Sequence, residues 1–310
     1  MATSIGFLIT FGPVKAKSSD LVEKGRDAIS NKDFVTAIRL FKADLTDPEA
    51  AFNLGIMYED GEGVAKNSQT AFEYYLKAAE KNLPEAQYNL AVLYAKGLGV
   101  NQDLTKAFEW FTKSAKQNYS QAQYNLGLMY LGGIATPPDD RKAFTLFKSS
   151  LTENGSYNEA LMYLTGNGTK ADKTKAFKIF KTYAGLNRTL AQYNIAVMYL
   201  NGFDKVKPNV TQAVKYFKAA SEEDLAEAQY NLALMYLDGN GVKKNLNQAF
   251  KYMSKAASGG YPDAAYNLAM MYDHGVGVKA DKDKAKIWLD EADTLNDLAL
   301  AIKLGKLTSK

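Results

Sequence analysis

QYNLAVLY, residues 87–94, recurs along the chain in seven versions at a nearly constant interval. The blocks are AFNLGIMY (51–58), QYNLAVLY (87–94), QYNLGLMY (123–130), SYNEALMY (156–163), QYNIAVMY (192–199), QYNLALMY (229–236) and AYNLAMMY (265–272). Their last tyrosines are 36, 36, 33, 36, 37 and 36 residues apart. A period of this length is typical of proteins that stack one supersecondary unit on the next. The sequence therefore predicts a solenoid.

Each period predicts two helices. One helical face of the first is marked by apolar residues at i, i+4, i+7 and i+8: Ala86, Leu90, Leu93 and Tyr94. Thirteen residues after Tyr94, a second pattern with this spacing starts at Ala107. We call the first helix of a repeat A and the second B. The predicted fold class is all-α, an α/α superhelical solenoid of about seven helix-turn-helix repeats of about 36 residues, with terminal capping helices.

The linker between helices A and B contains Gly-x-Gly-Val in four copies, which begin at Gly61, Gly97, Gly239 and Gly275. A helix often ends at a left-handed residue, a conformation that costs residues other than glycine about 1 kcal/mol or more. The motif therefore predicts a turn. Phosphate-binding loops also contain Gly-x-Gly, but here no strand precedes it and no third glycine or Gly-Lys-Ser/Thr follows.

The chain is predicted to contain four regions. Residues 1–18 form a signal peptide or a disordered leader, residues 19–46 an N-terminal capping helical hairpin, residues 47–292 the repeats, and residues 293–310 a C-terminal capping helix with a basic tail. Capping helices are expected because the terminal units of a solenoid must shield an otherwise open apolar face.

The order of alanine, Leu-Gly/Ala, tyrosine, Gly-x-Gly-Val, Lys-Ala and aromatic-Lys-Ala-Ala resembles the Sel-1-like repeat family, a tetratricopeptide-like class of helical solenoids. The resemblance is clear in residues 85–115, 227–257 and 263–292, and it extends over about residues 34–292. It implies an adaptor or scaffold role, in bacteria often in envelope, secretion or host-interaction settings. In eukaryotes it implies a role in protein quality-control assemblies.

Composition limits the partners. The net charge is only +4, with 38 basic and 34 acidic residues interleaved, so no nucleic-acid partner is expected. There is no cysteine, which removes disulfides, thiolate nucleophiles and cysteine metal ligands. No apolar run reaches the roughly 18 residues that a transmembrane span needs. The oligomeric state is left open.

The sequence predicts no enzyme. His274 is the only histidine, and Asp273 precedes it. Adjacent side chains on a helix diverge by about 100°, so these two are expected not to orient each other as a catalytic pair. A single histidine without cysteine also argues against a transition-metal site. We therefore expect no catalytic residues, no metal and no cofactor.

The candidate partner site is a set of positions on helix A that align with Glu85, Asn89, Val92 and Lys96 at about 100° per residue. We call this set the A-helix stripe and expect it to line a concave groove. Every copy has an asparagine in it: Asn53, Asn89, Asn125, Asn158, Asn194, Asn231 and Asn267. Charged members are Glu49, Asp60, Glu85, Lys96, Glu227, Asp238, Asp263 and His274.

An asparagine amide both donates and accepts, so a row of them can hold a peptide backbone regardless of its sequence. The predicted function is therefore a protein- or peptide-binding scaffold, with the acidic members favouring basic contacts. Two alternatives stay open. The asparagines bridge to a backbone group of the adjacent helix, or the tyrosine-rich groove recognises a glycan or cell-wall fragment.

An aromatic row next to the asparagines is predicted to be core: Phe52, Tyr88, Tyr124, Tyr157, Tyr193, Tyr230 and Tyr266. Small residues beside it allow helices to approach closely, and buried aromatics supply much of the apolar area of a core. We therefore expect this row to pack between repeats rather than to form a stacking platform.

Residues 5–11 form an apolar run, and Val14-Lys15-Ala16 is similar to a signal-peptidase site. These features predict export to the periplasm or the exterior. The departures are the missing lysine or arginine before the run and the interruption at Gly12-Pro13. The alternative is a cytoplasmic protein with a disordered leader or a misassigned start.

Overall fold

The structure is a computed structural model that describes residues 19–204 and 206–303. These residues contain 16 α-helices. In chain order they are α1 Asp20–Ser30, α2 Phe34–Ala43, α3 Pro48–Asp60, α4 Ser68–Glu80, α5 Pro84–Lys96, α6 Leu104–Lys116, α7 Ser120–Gly132, α8 Asp140–Ser149, α9 Glu153–Thr165, α10 Lys173–Gly185, α11 Thr189–Asn201, α12 Val210–Glu222, α13 Ala226–Asp238, α14 Leu246–Ser258, α15 Pro262–His274 and α16 Lys282–Lys303. The all-α prediction is confirmed.

Helices α3 to α16 alternate as A and B helices of seven repeats, and α1 and α2 precede them as a hairpin. Pro48, Pro84 and Pro262 occupy the first position of their A helices, where the missing N–H costs no hydrogen bond. The B helices begin differently, with an asparagine or aspartate as N-cap. Asp103, for example, accepts a hydrogen bond from the backbone N–H of Lys106 at 2.9 Å.

The predicted glycine turns end the A helices. Gly97 has φ +69°, and its N–H donates to the carbonyl of Leu93, as does the N–H of Leu98 at 3.1 Å. This arrangement satisfies carbonyls that the helix end would leave without partners. Gly99, also left-handed, lies against the backbone of Ser68 at the start of the preceding B helix. The second glycine of the motif therefore brings the turn into contact with the neighbouring repeat.

The core consists of alanines, leucines, methionines and large aromatic side chains from both the A and the B helices. Tyr88 on α5 packs on Phe111 of α6, with ring centroids 5.7 Å apart, and both rings are fully buried. In five of the blocks the last tyrosine meets a B-helix phenylalanine of the preceding repeat edge to face. Phe72 and Tyr94 form such a pair, with centroids 5.3 Å apart. These contacts join consecutive repeats through their apolar area.

The described chain forms two compact units, residues 19–171 and 172–303, which we call the N-terminal and C-terminal units. Helices α1 to α9 belong to the first and α10 to α16 to the second, so the boundary falls within the fourth repeat. The predictions for residues 1–18 and for the basic tail after residue 303 lie outside the described residues. The predicted boundary at residue 293 falls inside α16, which continues from the last repeat without a break.

Within the described residues, no helix is both long and apolar enough to cross a membrane.

Candidate functional site

On each A helix of the N-terminal unit, the A-helix stripe is buried or partly buried in its middle and exposed at its C-terminal end. Asn89 is 5% exposed and Val92 only 1%, whereas Lys96 at the end of α5 is exposed. Asn125 and Leu128 on α7 are buried in the same way. Asp60 is exposed at the end of α3, and Asn53 and Asn158 are partly buried. The asparagines therefore lie at the border between core and surface.

The C-terminal unit leaves more of its stripe accessible. Asn194, Asn231 and Asn267 are partly exposed, and so is Glu227. The last positions of the stripe and the first of the final repeat are exposed: Asp238, Asp263 and His274. Any ligand on this unit would therefore meet amides flanked by charged side chains.

The asparagine amides donate to two kinds of acceptor. Asn125 Nδ2 donates to the Tyr88 hydroxyl at 3.4 Å, and Asn267 Nδ2 donates to the Tyr230 hydroxyl at 3.1 Å. In both cases the tyrosine belongs to the preceding repeat. The other acceptors are main-chain carbonyls one turn earlier in the same helix, which bind the amides of Asn53, Asn158, Asn194 and Asn231. The stripe asparagines, which we call the asparagine ladder, thus contribute to repeat stacking. That they bind a ligand stays a prediction.

The aromatic row is core at its start and surface at its end. Burial raises the pKa of Tyr88 well above its ordinary range, and the hydrogen bond that its hydroxyl accepts from Asn125 opposes that rise. Tyr119 packs on Tyr88 with ring centroids 5.3 Å apart. Burial, with a smaller contribution from the charge of Glu85, raises the pKa of Tyr119 to about 12. Tyr266, in contrast, is 52% exposed.

A polar cavity of about 290 Å³ opens on the stripe between α7 and the start of α9. Its lining residues are Tyr88, Gln121, Tyr124, Asn125, Thr152, Glu153 and Asn154. Asn125 is 1% exposed, and its Oδ1 atom has no hydrogen-bond partner. A buried carbonyl without a partner costs about 1–3 kcal/mol, so this atom favours a ligand that brings a hydrogen-bond donor.

Two carboxylates of the stripe are held in poorly solvated positions. Burial raises the pKa of Glu49, and the guanidinium of Arg26, 2.7 Å from Glu49 Oε2, opposes that rise. Burial also raises the pKa of Glu85, whose Oε2 is buried without a partner. Both carboxylates retain a buried oxygen without a partner, Glu49 Oε1 and Glu85 Oε2. Glu49 has a cationic partner in its own chain, whereas Glu85 has an acceptor that a cationic or amide donor would satisfy.

Replacing Glu85 with glutamine is expected to raise Tm at pH 7 by about 1–3 °C, because the variant no longer buries a charge. The folded pKa lies above the unfolded one, so the ionised carboxylate disfavours the fold at neutral pH, and protonation removes this penalty as pH falls through the folded pKa. The Tm difference between variant and wild type should therefore shrink towards pH 4. Thermal unfolding from pH 4 to 8 measures it, with Glu109→Gln on the exposed surface of α6 as the control.

His274 and Asp273 form a side-chain contact at the end of α15. The structure brings His274 Nδ1 to within 3.3 Å of Asp273 Oδ2, although the two residues are adjacent on α15. The expectation that these two residues do not act as a catalytic pair stays a prediction. His274 is 67% exposed in this pair. Among residues 19–204 and 206–303, no group of three His, Cys, Asp or Glu side chains is placed to hold a metal ion.

Sequence reasoning missed a glutamine contact that recurs two residues before the stripe asparagine, at Gln87, Gln123 and Gln229. Gln87 Nε2 donates to the Ala79 carbonyl at 3.2 Å and to Asn82 Oδ1 at 3.0 Å, across the turn from α4 to α5. Gln229 makes the same pair of bonds to Ser221 and Asp224. The signal was visible as the first letter of the QYN blocks. Its meaning depended on the preceding turn, whose left-handed residue supplies the second acceptor.

The fold and the stripe define a class: an all-α protein of stacked helical hairpins whose recurring polar residues lie on the A helices. The Sel1 repeat model matches residues 48–83, 84–119, 120–154, 156–182, 189–225, 226–261 and 262–292. The chain belongs to the Sel1 repeat family, as the resemblance predicted. This fold commonly serves as a protein-interaction scaffold.

Two solved structures are similar in fold. A Sel1 repeat protein from Oxalobacter formigenes is 24% identical, with a TM-score of 0.69 over 98% of each chain. The protective antigen c5321 of uropathogenic Escherichia coli strains is also 24% identical, with a TM-score of 0.53 over 93% of this chain and 80% of that one. No curated protein matches the chain. At this identity the likenesses concern the fold alone.

Proposed function

We propose that the protein is a non-catalytic scaffold that binds an extended peptide segment of a partner along the A-helix stripe. The observation that carries the proposal is Asn125 Oδ1, which is buried without a partner at the edge of a polar cavity of about 290 Å³. An extended peptide presents backbone N–H groups at regular spacing, and one of them entering this cavity pairs that oxygen.

Charge near the cavity specifies the ligand further. Glu85 Oε2 lacks a partner, and Glu85 lies close enough to Tyr119 for its charge to affect that hydroxyl. A lysine or arginine of the peptide placed beside α5 neutralises this half-buried carboxylate. The proposed ligand therefore has a basic side chain next to the segment that enters the cavity, and the solvated Asp60 adds to the attraction.

Site-specific photo-crosslinking tests the proposal. p-Benzoylphenylalanine at Gln121, which lines the cavity, is expected to crosslink to a lysine-rich extended peptide, here a biotinylated Ala-Lys repeat of ten residues. The same label at exposed Lys113 of α6 is the control for surface adsorption. Asn125→Ala should lower the yield at position 121 at least fivefold while Tm falls by less than about 3 °C.

A fall in Tm without loss of crosslinking would assign the asparagine to stacking alone and contradict the proposal. Equal yields at positions 121 and 113 would contradict it as well. Asn101→Ala, in the exposed turn after α5, controls for the substitution itself and should change neither readout.

Glycan recognition is the second candidate, with the half-exposed ring of Tyr266 as its supporting observation. A soluble cell-wall fragment that protects Tyr266, and not Gln121, from labelling would favour it. Export stays a prediction, which N-terminal sequencing of the chain recovered from its host tests.

A further inference from the structure

A second groove lies on the B-helix side of the N-terminal unit, away from the stripe. It has a volume of about 470 Å³ and runs between α6 and α8 above α7. Leu126, Tyr130 and Leu146 form its apolar wall, and Lys116, Arg141 and Lys142 lie at its rim. Tyr130 and Asn125 are five residues apart on α7, about 140° around the helix, so the groove and the stripe cavity face different sides.

The groove lies where the third repeat lacks an aromatic side chain that most of the repeats carry. The third residue after the buried alanine of the B helix is aromatic in five repeats: Tyr74, Trp110, Tyr216, Tyr252 and Trp288. In the third repeat this position is Leu146, and in the fourth it is Ile179. The smaller side chain of Leu146 leaves space where five of the repeats carry a ring.

The missing ring has a defined place. Tyr74 on α4 stacks on Tyr58, the last tyrosine of the block on the A helix of the same repeat, with centroids 5.6 Å apart and ring planes 15° apart. The corresponding stacked pairs in the C-terminal unit have centroids 5.9 and 5.7 Å apart: Tyr199 with Tyr216, and Tyr236 with Tyr252. Tyr130 occupies the first position of such a pair, and Leu146 cannot stack on it. One aromatic surface of the groove is therefore left without its usual partner.

The rim carries uncompensated positive charge. Lys142 pairs with Asp139 at 3.4 Å and lies 5.0 Å from the centre of the Tyr130 ring. Lys116 and Arg141 are exposed, and neither forms an ion pair with any of the described residues. The guanidinium of Arg141 can bind a carboxylate through two parallel hydrogen bonds. The groove thus combines an apolar floor with two free cations at its entrance.

We propose that this groove binds an aromatic side chain of a partner peptide flanked by acidic residues. The ring enters beside Leu126 and Leu146 and stacks on Tyr130, as Tyr74 stacks on Tyr58 in the first repeat. A neighbouring carboxylate pairs with Arg141 and Lys116. Aromatic anchors in pockets dominate many interfaces, and rim charges select among peptides that carry one.

Titration with a fluorescently labelled peptide of central sequence Glu-Phe-Glu, flanked by glycines, tests the site. Saturable binding is expected, weakened at least tenfold when the phenylalanine is replaced by alanine or the glutamates by lysines. Binding that survives the alanine replacement would overturn the proposal, because charge alone would then explain it. Free 3-phenylpropionate that binds as tightly as the peptide would overturn the peptide assignment.

Leu146→Trp introduces an aromatic residue, which five of the repeats carry at this position, and fills the groove. We expect it to lower the affinity for the Glu-Phe-Glu peptide at least tenfold while Tm stays equal or rises. Leu151→Trp, at a leucine that is 85% exposed in the same unit, is the matched control and should leave the affinity unchanged. Full affinity in a folded Leu146→Trp variant would overturn the site.

If Leu146→Trp does not fold, Arg141→Gln provides a second test of the proposal. Its side chain is exposed, so Tm should not change, and the affinity for the peptide should fall about three- to tenfold with a weaker dependence on salt. An unchanged affinity and salt dependence would exclude the proposed carboxylate contact.

Discussion

Replacing Gly99 with alanine is expected to destabilise the N-terminal unit by about 3 kcal/mol or more. Two effects add. Gly99 has φ +69°, a conformation that costs an alanine about 1–2 kcal/mol. A Cβ at this position would also overlap the backbone carbonyl of Ser68, the first residue of α4. Backbone atoms at a helix start cannot move aside as a flexible side chain does, so the turn must shift away from the preceding repeat.

Gly97→Ala is the matched comparison, because Gly97 has the same φ of +69° but its nearest neighbours lie at 3.2 Å or more, on Gln102. It is expected to cost only the conformational term, about 1–2 kcal/mol. The chain has two tryptophans, Trp110 in the N-terminal unit and Trp288 in the C-terminal unit. Urea unfolding in a Trp288→Phe background, followed by fluorescence, therefore reports on the N-terminal unit alone. Equal losses for the two variants would show that the contact with Ser68 contributes nothing.

The architecture was predictable because repetition multiplies a weak signal. A single QYNLAVLY block fits many helices, whereas seven copies near a 36-residue period require one unit that stacks on itself. The A-helix ends were predictable from Gly97 and its counterparts, since glycine at the end of an apolar pattern has one common structural use. The division between α9 and α10 had no comparable signal in the sequence.

The N-caps of the B helices and the glutamine contacts were harder to predict from the sequence, because each depends on where a helix begins or ends. Asp103 lies in a stretch of mixed polar residues, and it is recognisable as an N-cap only once the start of α6 at Leu104 is known. In the sequence Gln87 is one polar residue among several. Its role depends on the turn at Asn82, which places the acceptor Asn82 Oδ1 beside its amide. The missing aromatic at Leu146 was readable in the sequence, but the groove it leaves required the position of Tyr130.

The asparagine ladder shows the limit of helical-wheel reasoning. An angle of 100° per residue places Asn89 and Asn125 correctly on one stripe, but it does not say how far the next repeat covers that stripe. Tyr88 decides the matter for Asn125, because its hydroxyl lies 3.4 Å from the amide Nδ2 of the following repeat. Asn125 is therefore both a stacking contact, through its Nδ2, and a candidate ligand contact, through its Oδ1, which has no partner.

Replacing Phe111 with alanine is expected to destabilise the N-terminal unit by about 3–5 kcal/mol. The ring is fully buried in α6 and packs on Tyr88, so truncation leaves a large cavity at the contact between α5 and α6. Phe108→Ala is the control, since that ring is only partly buried against Tyr130 and should cost about half as much. Urea unfolding in the Trp288→Phe background measures both.

The Phe111 variant also tests how far the candidate site depends on the core. Repeat stability is set mainly by neighbouring units, so hydrogen exchange should accelerate in α5 to α8 while α13 to α16 keep their protection. Tyr88 connects the core to the cavity, because its ring packs on Phe111 and its hydroxyl accepts a hydrogen bond from the Asn125 amide. Crosslinking from position 121 should therefore fall in Phe111→Ala under conditions where the unit is still folded. Unchanged crosslinking would show that the cavity does not need the core packing beneath it, and uniform exchange along the chain would contradict local coupling.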